Sequence, residues 1–164
     1  MKHLSATYKG MITAVIMIVA SLIFFYIFDF PVNGKSQYAI LLIFIAGVMW
    51  SLLSYRMTRG TVQDLKSYFS EGFKTFIVVT LFMAAYTFIF FKLNPQIMEN
   101  GIQENNALLL KDGNKTLAEI EANADQMRRM FIPMMLAINT MKYLLLGSLI
   151  SLLAGGFLMR QKRT

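Results

Sequence analysis

Four stretches of the chain are almost wholly apolar, and the polar residues collect between them. Met11 to Phe28, Tyr38 to Tyr55 and Thr75 to Phe91 hold no charged residue. Each approaches the roughly 20 residues that cross about 30 Å of hydrocarbon at 1.5 Å per residue. The fourth run, Met130 to Met159, is broken only by Lys142 and is longer than a single crossing needs, so it must tilt or project. The pattern predicts an all-α polytopic membrane protein, one membrane domain over 1–164, with spans at about 11–28, 38–55, 75–91 and 134–159. A secretory signal would explain Lys2 and Lys9 ahead of the first run, but Phe28-Asp29-Phe30-Pro31-Val32 offers no small-x-small cleavage site, so this span is expected to be retained.

The longest polar segment, 92–133, reads as a helical hairpin between spans 3 and 4. Asn94-Pro95 suits a helix start, with an amide to cap free N–H groups and a proline whose fixed angle fits the first turn. Asp112-Gly113-Asn114 is the break. Thr116 and Glu119 have capping-box spacing, and Leu117, Ile120, Ala124, Met127 and Phe131 follow a helical stripe into the fourth span. Glu119, Glu121 and Asp125 suit a solvated face, while Leu108, Leu109 and Leu110 would serve a partner or the membrane equally well. Between spans 2 and 3, Leu65, Phe69, Phe73 and Phe76 recur at helical spacing. They suggest a short interfacial helix punctuated by Gly60 and Gly72.

Charge assigns the sides. With the amino terminus inside, the cytoplasmic segments hold Lys2, Lys9, Arg56, Arg59, Lys66, Lys74, Arg160, Lys162 and Arg163 against only Asp64 and Glu71, whereas the outer segments are close to neutral. Cationic flanks resist translocation, so both termini are expected in the cytoplasm, with the hairpin outside. The net charge of +7 therefore reads as membrane anchoring rather than nucleic-acid binding. Arg56, Arg59, Lys66, Arg160, Lys162 and Arg163 are the expected lipid-surface anchor. The absence of cysteine removes disulfides, thiol catalysis and thiolate metal sites.

Within the spans Lys142 is the residue closest to chemistry, because an ionisable group at bilayer depth is costly and marks a transport route, a proton relay or a buried pair. Counted back from Arg160 it lies only about 3 Å inside the boundary and can snorkel; counted from Pro133 it lies about 13 Å deep, where Asp29, Tyr26 or Tyr86 would be attractive partners. Asn139, Lys142 and Tyr143 form the candidate polar patch. Gly47 with Ser51, and Gly147, Ser151 and Gly155, have small-xxx-small spacing, which serves packing inside the bundle or between subunits. Met127, Met130, Met134, Met135 and Met141 suit adaptable packing better than soft-metal binding, since His3 lies on the opposite side and no cysteine assists. No hydrolase elbow, phosphate loop, metal-binding histidine pair or close carboxylate pair in a membrane-facing pocket occurs, so neither enzyme activity nor a cofactor is expected.

The Tyr55-Arg56 exit from the second span, the Phe69-Ser70-Glu71-Gly72-Phe73-Lys74 approach to the third and the polar helical insertion before the last resemble domain-of-unknown-function family 4199 over nearly the whole chain. The resemblance implies a small four-span protein of a Gram-negative inner membrane, and it carries no activity, substrate or site residues. The expectation is a structural or accessory subunit bound to membrane lipids and to a heteromeric membrane partner. The alternative is a small oligomeric transporter or channel using the patch around Lys142.

Overall fold

The computed structural model describes residues 4–28, 34, 36–59, 64–113 and 115–160. They form five helices: α1 Ala6–Tyr26, α2 Ser36–Arg59, α3 Leu65–Leu93, α4 Pro95–Asp112 and α5 Leu117–Arg160. All but α4 are long and apolar enough to cross a membrane. At 1.5 Å per residue the 29 residues of α3 reach about 44 Å and the 44 residues of α5 about 66 Å, both beyond one hydrocarbon thickness. α5 carries Pro133 in its interior, where the ladder loses one donor.

The chain divides into two compact units. The first takes α1, α2, α3 as far as Met83 and α5 from Thr140. Its helices meet where side chains are small. A Cβ at Gly47 would run into Thr13, joining α2 to α1; one at Gly147 would run into Phe76, and one at Gly155 would stand 2.9 Å from Tyr68 Cβ, joining α5 to α3. In lipid the tails are as apolar as leucine, so this close approach, and not the exclusion of water, holds the helices together. Around these contacts Phe44, Val48, Leu52, Met17 and Val79 are fully buried. Phe44 packs on Tyr143 with ring centroids 5.2 Å apart, and Tyr55 meets Tyr68 edge-on at 5.8 Å.

The segment expected as a separate interfacial helix is instead the opening of α3. The helix passes Gly72 without a break, because that glycine serves packing: a Cβ there would strike Ser151. Asp64 starts the helix by accepting the Ser67 backbone N–H at 3.1 Å, and its hydrogen bonds with Ser67 hold its carboxyl below the ordinary value. Gly60 lies outside the described residues.

The second unit, 84–139, holds the end of α3, α4 and the first part of α5. Gly113 adopts φ 64°, the left-handed conformation that closes a helix cheaply only without a Cβ. Thr116 and Glu119 form the capping box: Glu119 Oε2 accepts the Thr116 backbone N–H at 2.8 Å, and Thr116 Oγ1 accepts the Glu119 N–H at 3.3 Å. The Thr116 backbone N–H, with the Thr116 hydroxyl donating to the same Oε2 at 3.0 Å, holds the Glu119 carboxyl below its ordinary value. α4 is clasped to α5 by Arg128, whose guanidinium makes two bonds to Glu99, at 2.9 and 3.0 Å, and one to Asp125 at 2.9 Å. Ile102, Ile120 and Ala124 are buried in this unit, and Phe91 stacks edge-on with Phe131 at 5.1 Å.

Two expectations are corrected here. Asn94 does not cap α4 with its side chain. Its backbone, at φ −122° and ψ 61°, lies outside the extended region a cap requires; the buried amide donates to the Phe90 carbonyl at 2.9 Å, and its oxygen accepts from Gln96 at 3.2 Å. Leu117 is 75% exposed, so the buried stripe of α5 begins at Ile120.

Candidate functional site

Where the first unit ends its apolar runs, three helices bring charge to one level. α1 contributes Lys9 just before its charge-free run, α2 contributes Tyr55 at the end of its own and Thr58 and Arg59 just after it, and α3 contributes Glu71 and Lys74 just before the next. These residues, with Leu4, Ser5, Ala6 and Thr7, line an open cleft of about 680 Å³, within the range of small-ligand sites. Among the described residues, three cations against one carboxylate leave its wall with an excess of positive charge.

Lys9 is the least ordinary member. It is only 3% exposed, and its Nζ lies 3.6 Å from Glu71 Oε1, whose side chain is 14% exposed. A buried charge needs its partner, because desolvation would otherwise cost several kcal/mol. The separation is nevertheless wider than the 2.7–2.9 Å typical of charge-assisted hydrogen bonds.

Beneath the pair, Thr75 Oγ1 lies 2.7 Å from Ser51 Oγ, 3.1 Å from the Glu71 carbonyl and 3.3 Å from the Ala6 carbonyl. One hydroxyl proton serves only one of these acceptors, but the cluster ties α1, α2 and α3 together. Ser51 thus combines small size with a polar link. Ser151 acts by size alone: its Oγ is buried without a hydrogen-bond partner, against Gly72.

Lys142 and Tyr143 line a separate cavity of about 190 Å³ with Gly34, Gln37, Tyr38 and Leu41. The Lys142 ammonium sits 5.1 Å from the centroid of the Tyr143 ring, a cation–π distance. Tyr143 is 5% exposed. Asn139 is half-buried and belongs to the second unit. Of the lipid-surface anchor residues, Arg56 is half-buried, Arg59, Lys66 and Arg160 are exposed, and Lys162 and Arg163 lie outside the described residues, as does Asp29.

Met130, Met134 and Met141 are exposed, and Met127 Sδ accepts from the Asn105 amide at 3.5 Å. Among the described residues, no group of three or more His, Cys, Asp or Glu side chains comes together to hold a metal ion.

Lys9, Glu71 and Lys74 were not singled out as a site by sequence reasoning, which counted them as charges on one side and read Glu71 and Lys74 as part of the family resemblance. The available signal was their position: each borders a charge-free run, and alternating crossings bring those borders to the same level.

Fold and cleft together define a polytopic all-α membrane protein with its polar chemistry gathered at the border of the apolar runs. The chain belongs to DUF4199, a family described as protein of unknown function, which matches residues 8–160 and so takes in the cleft from Lys9 onward. The resemblance read from the borders of the second and third spans is therefore correct. No curated protein and no solved structure matches the chain.

Proposed function

We propose that this protein is a non-enzymatic structural or accessory subunit of a larger assembly in a bacterial inner membrane, with both termini in the cytoplasm. The carrying observation is the filled interior of the first unit. Thr13 against Gly47, Ser151 against Gly72 and Phe76 against Gly147 close the helix contacts at backbone distance, which suits a rigid membrane-embedded scaffold better than a conduit. The orientation rests on the excess of lysine and arginine on the segments assigned to the cytoplasm.

Extraction of the tagged chain from its native membrane in mild detergent, followed by mass and composition of the intact particle, tests this reading. A stoichiometric second polypeptide is expected. A particle holding this chain alone overturns it.

A second reading, an oligomeric transporter or channel, is favoured by one observation, the cavity that Lys142 and Tyr143 share with Gln37 and Tyr38. It predicts that Lys142→Met abolishes solute movement across proteoliposomes. If the wild-type chain supports no movement in the same assay, this reading fails.

A further inference from the structure

We infer that the cleft walled by Lys9, Arg59 and Lys74 binds a phosphate group. Charge is the first ground. Among the described residues the wall carries three cations and one carboxylate, leaving two positive charges, which complements a phosphomonoester of about −1.5 to −2 and exceeds the single charge of a phosphodiester.

The second ground is the state of Lys9. An ammonium has three donors, and Lys9, a residue only 3% exposed, has its own 3.6 Å from the Glu71 carboxylate. Glu71 therefore supplies charge balance without a close hydrogen bond, and the ammonium keeps its donors for an oxyanion that enters from the cleft. The third ground is neutral donors: Ser5 and Thr7 place hydroxyls on the same wall, whereas the Thr58 hydroxyl donates to the Ser54 carbonyl at 2.8 Å. Phosphate recognition combines point charges with such donors.

The cleft also lies at a particular depth. Its residues border the charge-free runs of α1, α2 and α3, the level at which the phosphates of a bilayer are found. Both a lipid headgroup and a soluble phosphate compound present the same chemistry there. A built cleft differs from a general attraction of basic residues to an anionic surface, because it requires Arg59 and Lys74 in particular and not merely their charge. The inference does not rest on the accessory-subunit reading and holds for an isolated chain as well.

The test uses full-length protein stripped of lipid in a non-ionic detergent, with thermal stability followed on titration. The probes are inorganic phosphate against chloride at matched ionic strength, and phosphatidic acid, a phosphomonoester lipid, against diacylglycerol at equal mole fraction in mixed micelles. Stabilisation by phosphatidic acid alone assigns the cleft to a lipid headgroup; stabilisation by inorganic phosphate, with or without the lipid, assigns it to phosphate as such. In the Arg59→Gln/Lys74→Gln variant, which changes only exposed positions and leaves the buried Lys9–Glu71 pair intact, the half-saturating concentration rises at least about tenfold. Lys66→Gln, an exposed cation off the cleft, leaves it unchanged. No stabilisation by either probe, or an equal loss in Lys66→Gln, overturns the inference.

Discussion

Gly155 and Gly156 stand side by side near the end of α5, yet a methyl group would meet different surroundings at each. At Gly155 it would lie 2.9 Å from Tyr68 Cβ, too close for two carbons, so α3 and α5 must separate; at Gly156 nothing lies within 4 Å. Gly155→Ala is therefore expected to destabilise the protein by about 1–3 kcal/mol, the usual cost of overpacking. Gly156→Ala should stabilise it by roughly 0.5–1 kcal/mol, because alanine loses less backbone freedom in a helix. Unfolding of the two variants in detergent decides the matter, and equal effects would mean that the α3–α5 contact is not as close as described. Small-xxx-small spacing singled out Gly155 and not Gly156 from the sequence, because the interval of four repeats on one helix face. What spacing could not supply was the partner. Tyr68 and Phe76, which meet Gly155 and Gly147, lie far away in the chain, and no local pattern ties them to α5.

At the scale of elements, hydropathy located all four long helices, but it marks where apolar side chains begin and not where the backbone ladder begins. α3 thus opens at Leu65 and not near Thr75: once Asp64 supplies a cap, the helix runs on through polar Ser67, Ser70 and Glu71. The hairpin break and the capping box were legible because Gly113, Thr116 and Glu119 act within a few residues. The clasp of opposite charges across the hairpin was not, since Glu99 and Arg128 are 29 residues apart. That clasp makes α4 sensitive to acid. The Arg128 hydrogen bonds hold the Glu99 carboxyl below its ordinary value of 4.5, so the stabilisation is complete above that value and is lost as pH falls through the lower folded value. Spin labels at the exposed positions Gln103 and Gln126 should show a narrow distance distribution at neutral pH that broadens reversibly in acid. Arg128→Gln should broaden it at both pH values. A distribution indifferent to acid would mean that apolar contacts such as Ile102 and Ile120 hold α4 without help from charge.

For the molecule as a whole, the charge distribution and the cleft are one arrangement seen at two ranges. Three of the residues that bias orientation, Lys9, Arg59 and Lys74, also wall the cleft. Counting charges by segment could find the bias but not the cavity, because a count carries no information on which side chains turn toward one another. Lys9 shows the difference, since it contributes one unit to the tally yet is almost completely buried. Orientation itself can be read directly, because the chain has no cysteine and any introduced thiol is the sole one. Ser70 and Gln103 are both exposed, the first in the opening turns of α3 and the second in α4, and the apolar run of α3 lies between them. In intact spheroplasts a membrane-impermeant maleimide should label Gln103→Cys, and should reach Ser70→Cys only after permeabilisation. The opposite pattern would invert the orientation inferred from lysine and arginine. Labelling of both without permeabilisation would mean that α3 does not cross the membrane, a result that no rearrangement of charges could reconcile with a four-span protein.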